Sequence, residues 1–234
     1  AVKDLAAGTI NRVSMTVQAR MWDTNYFIFP EKTGKLGDIP KEIRTQYLAD
    51  DEKFSLQHPT IQKALAEAVG DEENPYWIMR KIFNYVIDHM YYELSGGWNT
   101  APAVLERGNG SCSEYTFVFI ALCRAAGLPA RYAGSIAIRG DDASLDDVFH
   151  RWAEVYLPNY GWIPVDPSRG DKATPEEQAE SIGHAFNSCL ITTIGGGNSE
   201  YLTWTYNCDE KWTSRGKCKI FTEHIGEWNP IVGE

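Results

Sequence analysis

Gly110-Ser111-Cys112-Ser113-Glu114, running directly into the apolar stretch from Tyr115 to Ala126, is the part of the chain on which the fold turns. Ser111 and Glu114 have the spacing of a capping box, in which two side chains satisfy backbone N–H groups at a helix start. A helix therefore begins at Ser111, and Cys112 falls in its first turn. Unpaired N–H groups and the positive end of the helix dipole favour an anion there. The position predicts a thiol of lowered pKa, partly in the reactive thiolate form. Gly108 and Gly110 permit a tight turn before the helix and leave room for a substrate beside the sulfur.

A base for that thiol lies further along. His150-Arg151-Trp152-Ala153-Glu154-Val155-Tyr156-Leu157 has the β-branched and aromatic content of a strand. Its period of two puts His150, Trp152, Glu154 and Tyr156 on one face and Arg151, Ala153, Val155 and Leu157 on the other. Pro158-Asn159-Tyr160-Gly161 is a turn, and Trp162-Ile163-Pro164-Val165-Asp166 returns as a second strand. In such a hairpin Asp166 lies within two or three residues of direct opposition to His150. The carboxylate can hold one imidazole nitrogen while the other faces the thiol, the arrangement of an activated cysteine nucleophile.

These motifs, together with Ala121-Leu122-Cys123-Arg124-Ala125-Ala126-Gly127-Leu128-Pro129-Ala130-Arg131-Tyr132 and Gly161 to Pro167, resemble the bacterial transglutaminase-like superfamily. The resemblance is strong over about residues 75–168 and weak outside it. It implies an α+β, papain-like fold in which the helix bearing the cysteine packs on an antiparallel sheet bearing His and Asp. It implies Cys112 as nucleophile, His150 as base and Asp166 as the residue orienting it, with an acyl-thioester intermediate. The family includes transglutaminases, peptidases and other amidases, so the resemblance fixes the acyl chemistry and leaves the substrate open.

An oxyanion needs two donors, and the backbone N–H of Cys112 supplies one. In the family an upstream aromatic or polar side chain supplies another. Trp98 is the preferred candidate here, with Tyr91 and Tyr92 as neighbours that also reach. Tyr91, Trp152 and Trp162 are candidates for contact with substrate.

Composition fits a globular domain: 234 residues, 43% hydrophobic and 23% charged, with a net charge of −10. The acidic balance argues against nucleic acid or an anionic membrane surface as the main partner, and no apolar run is long enough to span a membrane. No C-x-x-C or H-E-x-x-H pattern is present and the five histidines are scattered, so neither metal nor cofactor is expected. Cys208 and Cys218 flank a segment that either closes a hairpin through a disulfide or carries two free thiols. The disulfide, and the absence of an initiator methionine, favour an exported protein with its signal removed.

Along the chain, residues 12–21 alternate polar and apolar and predict a strand. A short helix is expected at about 60–69, stopped by Gly70, and a longer one from Asn74-Pro75 to about Met90, with His89 at the core edge. Tyr91 to Gly97 reads as irregular and Arg131 to Arg139 as a strand. Asp141-Asp142-Ala143-Ser144-Leu145-Asp146-Asp147 reads as a solvated acidic loop, its spacing unlike an EF-hand. A short helix from Pro175 and strands near 189–194, 200–207 and 217–223 complete a single domain. It divides into an N-terminal strand-and-helix extension (1–74), the core, and a C-terminal β extension (169–234).

Three functional readings follow. The chain is a thiol hydrolase of a peptide, protein or other amide, or a protein-glutamine transglutaminase with an amine acceptor, or a non-catalytic binding module on the same fold. The lack of evident β-sandwich domains favours hydrolysis.

Overall fold

The computed structural model describes residues 2, 4–94, 97–139, 143–229 and 231. Six α-helices are formed among them: α1 (Lys41–Tyr47), α2 (Pro59–Val69), α3 (Pro75–His89), α4 (Ala101–Arg107), α5 (Cys112–Ala125) and α6 (Pro175–Ala179). The main sheet has four antiparallel strands, β1 (Ala130–Ala137), β2 (Phe149–Leu157), β3 (Gly161–Val165) and β4 (Cys189–Ile194), in the spatial order β3-β2-β1-β4. This is the expected α+β architecture, with the cysteine helix packed on an antiparallel sheet.

Helix α5 is the axis of the molecule. It is buried along its length, with Tyr115, Phe117, Phe119, Ile120 and Leu122 fully enclosed. An all-round apolar helix needs neighbours on every side; α2, α3 and α4 cover one flank, and β1 and β2 the other. The strands contribute Ala153, Val155, Leu157, Ile163 and Val165 to the same core. The helix ends fall where local chemistry places them: Asn74 Oδ1 accepts from the N–H groups of Tyr76 and Trp77 at the start of α3. Gly70, at φ 59°, follows the last turn of α2.

The hairpin between β2 and β3 turns through Asn159 and Gly161, both at positive φ. Its register sets Leu157 against Gly161 and Ala153 against Val165. Continued by one residue, it brings Asp166 opposite Trp152, two positions from His150 on the same face of β2.

Three expected strands do not form. Residues 12–20 are exposed, with Val13 at 82% and Met15 at 86%, because no neighbouring strand or core surface receives their apolar side. In that region only Thr24–Asn25 pairs, with His184–Ala185. Residues 200–207 form turns and 217–223 have no regular structure; among the described residues, the pairing nearby joins Ile225–Gly226 to Ala143–Ser144. Alternation supplies a strand's faces, whereas the ladder must come from a partner edge. Helix α4 is the converse case: its Pro102 sits in the first turn, where a missing N–H costs nothing. In the acidic loop, Asp141 and Asp142 lie outside the described residues.

Candidate active site

Cys112 is the first residue of α5, behind the Ser111 cap. Glu114 is completely buried and fastens this end of the helix. It accepts from the Ser111 N–H at 3.1 Å, from the Asn99 N–H at 3.2 Å and Nδ2 at 2.9 Å, and from Arg107 Nη2 at 3.0 Å. A buried carboxylate so fully paired avoids the desolvation cost of an orphaned charge. Of the glycines before the helix, Gly108 makes the expected tight turn, whereas Gly110 has a different role from the expected one. A Cβ on Gly110 would stand 2.8 Å from Cβ of Glu114, so Gly110 is small to admit Glu114 and not a substrate. Gly108, at φ 78°, closes α4 in the left-handed region.

The structure brings Cys112, His150 and Asp166 together. His150 Nε2 is hydrogen-bonded to Asp166 Oδ2, leaving Nδ1 for the sulfur, which lies within hydrogen-bonding reach of the ring. Asp166 is itself held: Ser168 Oγ donates to Oδ1 at 2.9 Å and the Arg169 N–H at 3.0 Å. Ser135 Oγ donates to the His150 carbonyl at 2.8 Å, fixing the backbone of β2 at that point.

Electrostatics favour the charged pair. Burial pushes the Cys112 thiol up, yet the hydrogen bond and charge of His150, and then the charge of Arg151, bring it below the ordinary thiol range. Burial acts on His150 in the opposite sense and would lower it, but the Asp166 carboxylate and then the Cys112 sulfur raise it. Burial would raise Asp166, and His150 with the donors of Ser168 and Arg169 hold it down. Thiolate and imidazolium therefore stabilise one another across neutral pH.

Two residues complete the surroundings. Tyr92 belongs to a two-residue ladder, Tyr91–Tyr92 parallel to Asn109–Gly110, that sets it beside the helix start. Burial and then the charges of Cys112 and Asp166 raise its phenol above the usual range. Arg151 is only 3% exposed. Its guanidinium lies over Trp98, Phe149 and Tyr206 at 4.9, 4.2 and 4.3 Å from the ring centroids, and its Nε has no hydrogen-bond partner. The sequence places Arg151 only on the apolar face of the strand; the signal that singles it out is a charged residue in register with Ala153 and Val155.

The other sequence candidates separate. The Trp98 ring is taken up by Arg151 and by Phe117, 5.9 Å away. Tyr91 turns outward, its hydroxyl accepting from Asn109 Nδ2 at 2.8 Å. Trp152 is buried with Ala133 and Cys189, its ring 5.9 Å from that of His150. Trp162 pairs with Tyr156, six residues from His150, or about 20 Å along the strand. There it packs on Tyr47 and beneath Arg131, outside the site. A groove of about 800 Å³ between Thr33–Gly37, α2 and the start of α3 reaches Ala126, at the end of α5 opposite Cys112. None of the five cysteines is in a disulfide, so Cys208 and Cys218 are not joined and that ground for export falls away. No helix among the described residues is long and apolar enough to cross a membrane.

A cysteine at the buried start of a central helix, facing histidine and aspartate from a β-hairpin, is the arrangement of a cysteine acyl-transfer site, and comparison with known proteins finds a likeness over the same core. Residues 63–167, the stretch that carries Cys112, His150 and Asp166, match the family model of the transglutaminase-like superfamily. A protein-glutamine gamma-glutamyltransferase of Pseudomonas aeruginosa is 31% identical over 100 residues, which are 40% of this chain and 13% of that protein. An uncharacterized protein of Haemophilus influenzae is 28% identical over 156 residues, covering 54% of this chain and 42% of that protein. The chain thus spans less than half the length of these relatives. Among solved structures, one described as a putative cysteine protease from Cytophaga hutchinsonii superimposes with a TM-score of 0.49 at 21% identity, covering 83% of this chain and 65% of that one.

Proposed function

We propose that the protein is a cysteine-dependent acyl-transfer enzyme that hydrolyses a peptide or other amide bond through an acyl-thioester on Cys112. The observation that carries this reading is the convergence of Cys112, His150 and Asp166 at the capped end of α5. The thiolate attacks the amide carbonyl, and the tetrahedral oxyanion meets the Cys112 N–H, which has no intrahelical acceptor at that position. The Tyr92 hydroxyl is the second donor. His150 delivers its proton to the departing amine, leaving the thioester. Water then attacks while His150 takes its proton, and collapse releases the acid and restores the thiolate–imidazolium pair. Asp166 keeps the ring oriented and balances its charge.

A second reading replaces water with an amine. It is favoured by the likeness to the Pseudomonas glutamyltransferase and by the near-complete enclosure of Cys112, 2% exposed, since exclusion of water prolongs a thioester. Both readings use the same residues up to the thioester.

The test is the pH dependence of alkylation at each cysteine, read by peptide mass spectrometry, in the native chain and in His150→Ala. Fast labelling of Cys112 near neutral pH, slowed in the variant, is expected, and an amide-and-amine substrate screen then distinguishes the acceptors. Equal labelling in both chains would leave a non-catalytic module as the reading.

A further inference from the structure

Beyond the catalytic cleft, the structure joins Cys208, Glu210 and His224, which sequence spacing leaves apart. Cys208 Sγ lies 3.1 Å from His224 Nε2 and 3.8 Å from Glu210 Oε1, and His224 Nε2 lies 2.6 Å from Glu210 Oε1. The three donor atoms all fall within 4.8 Å of one another. Three different ligand types, from positions separated by a long irregular segment, thus converge on one point. We propose that this point is a binding site for a divalent transition metal of the zinc type.

The donor set selects the metal. A thiolate and an imidazole suit zinc and its first-row neighbours, whereas calcium and magnesium take oxygen ligands. In a tetrahedral site, metal–sulfur bonds near 2.3 Å and metal–nitrogen or –oxygen bonds near 2.0–2.2 Å set donors roughly 3.3–3.6 Å apart. The observed separations bracket that range, so an ion enters by shifts well under an ångström. Cys208 gives up its thiol proton to solvent as the bond to metal forms.

The frame around the cluster is already fixed. The Leu145 N–H donates to the His224 carbonyl at 2.8 Å, Tyr206 Oη to the Leu145 carbonyl at 2.8 Å, and Thr205 Oγ1 to the Cys208 carbonyl at 2.9 Å. Between the ligands, residues 211–223 contain no helix or strand. A loop of that length without regular structure is costly to close, and a metal clip at its base removes much of that cost. Leu145 to Asp147 lead into β2, so the ion would brace the entry to the strand bearing His150.

The experiment titrates the full chain bearing Cys112→Ser with Co²⁺ under reducing conditions, which takes the catalytic thiol out of the measurement. One equivalent is expected, with a thiolate-to-cobalt charge-transfer absorption that Zn²⁺ displaces. Cys208→Ser should abolish that absorption, and His224→Ala and Glu210→Gln should weaken binding at least about tenfold, since even the loss of a group that only supports a ligand costs that much. Cys218→Ser should leave it unchanged, and circular dichroism checks that each variant is folded. Absence of the band in the parent, or its persistence in Cys208→Ser, would reduce the cluster to a His–Glu ion pair beside a thiol and overturn the proposal. Loss of the band in Cys218→Ser would place the metal on a different thiol and overturn it equally.

Discussion

His150 and Arg151 are consecutive on β2 and leave opposite faces of the strand, yet the charges of both act on the Cys112 sulfur. His150 does so by direct hydrogen bonding, Arg151 from a box of aromatic rings beneath the site. Arg151 is thus a positioning charge with no buried carboxylate opposite it among the described ion pairs. Arg151→Met keeps the aliphatic length and removes the charge. The alkylation profile of Cys112 should move to higher pH, by less than in His150→Ala, because the histidine is the larger influence. An unchanged profile would reduce Arg151 to core packing.

Tyr92→Phe deletes only the hydroxyl proposed as the second oxyanion donor. Losing one oxyanion donor typically costs 10²–10³ in kcat, so a fall of about that size is expected with KM little changed. Trp98→Phe, at the position the sequence favoured, should have a far smaller effect. The two variants assayed side by side on one amide substrate decide between the donors; equal losses would reject Tyr92.

The Asp166–His150 pair should leave a pH signature in stability. Asp166 is lowered, so its contribution is present above its unfolded value near 3.9 and is lost as pH falls through the folded value. His150 is raised, so its contribution is complete below its unfolded value near 6.5 and is lost as pH rises through the folded value. Urea unfolding of Asp166→Asn against the parent should therefore show the widest gap at intermediate pH, closing towards both extremes. A gap independent of pH would mean that the pair is not ionised.

Glu114→Gln removes a buried charge that Arg107, Asn99 and the Ser111 N–H all address. Arg107 is partly exposed and can turn to solvent, so we expect a loss of about 2–4 kcal/mol in urea, short of the full cost of a severed buried pair. Cys112 labelling should slow as well, since the helix start that holds the sulfur loosens. A variant as stable as the parent would show that the cap tolerates an amide.

The site was legible wherever function and local geometry coincide. Ser111 and Glu114 cap a helix in any context, and the turn at Asn159 and Gly161 sets the register that carries Asp166 towards His150. What escaped depends on neighbours. The alternation at Val13, Met15 and Val17 describes a strand, yet no sheet edge is there to receive it. The two-residue parallel ladder to Asn109–Gly110 that sets Tyr92 beside the helix start is a pairing too short for periodicity to reveal. Trp162 and Trp152 look equivalent as aromatics flanking His150, but the hairpin register carries one to the far end and buries the other. His224 reads as a stray until the chain returns to Cys208.

The enclosure of Cys112 separates acidity from access. An ionised sulfur in the open is quickly carried up the oxidation ladder to sulfinic and sulfonic acids. At 2% exposure this one offers oxidants almost no surface, whatever its charge. Reagent bulk should then govern what modifies it, with small electrophiles labelling the sulfur faster than glutathione disulfide does. The same burial that works against the charges of the pair thus shields its sulfur from bulky oxidants.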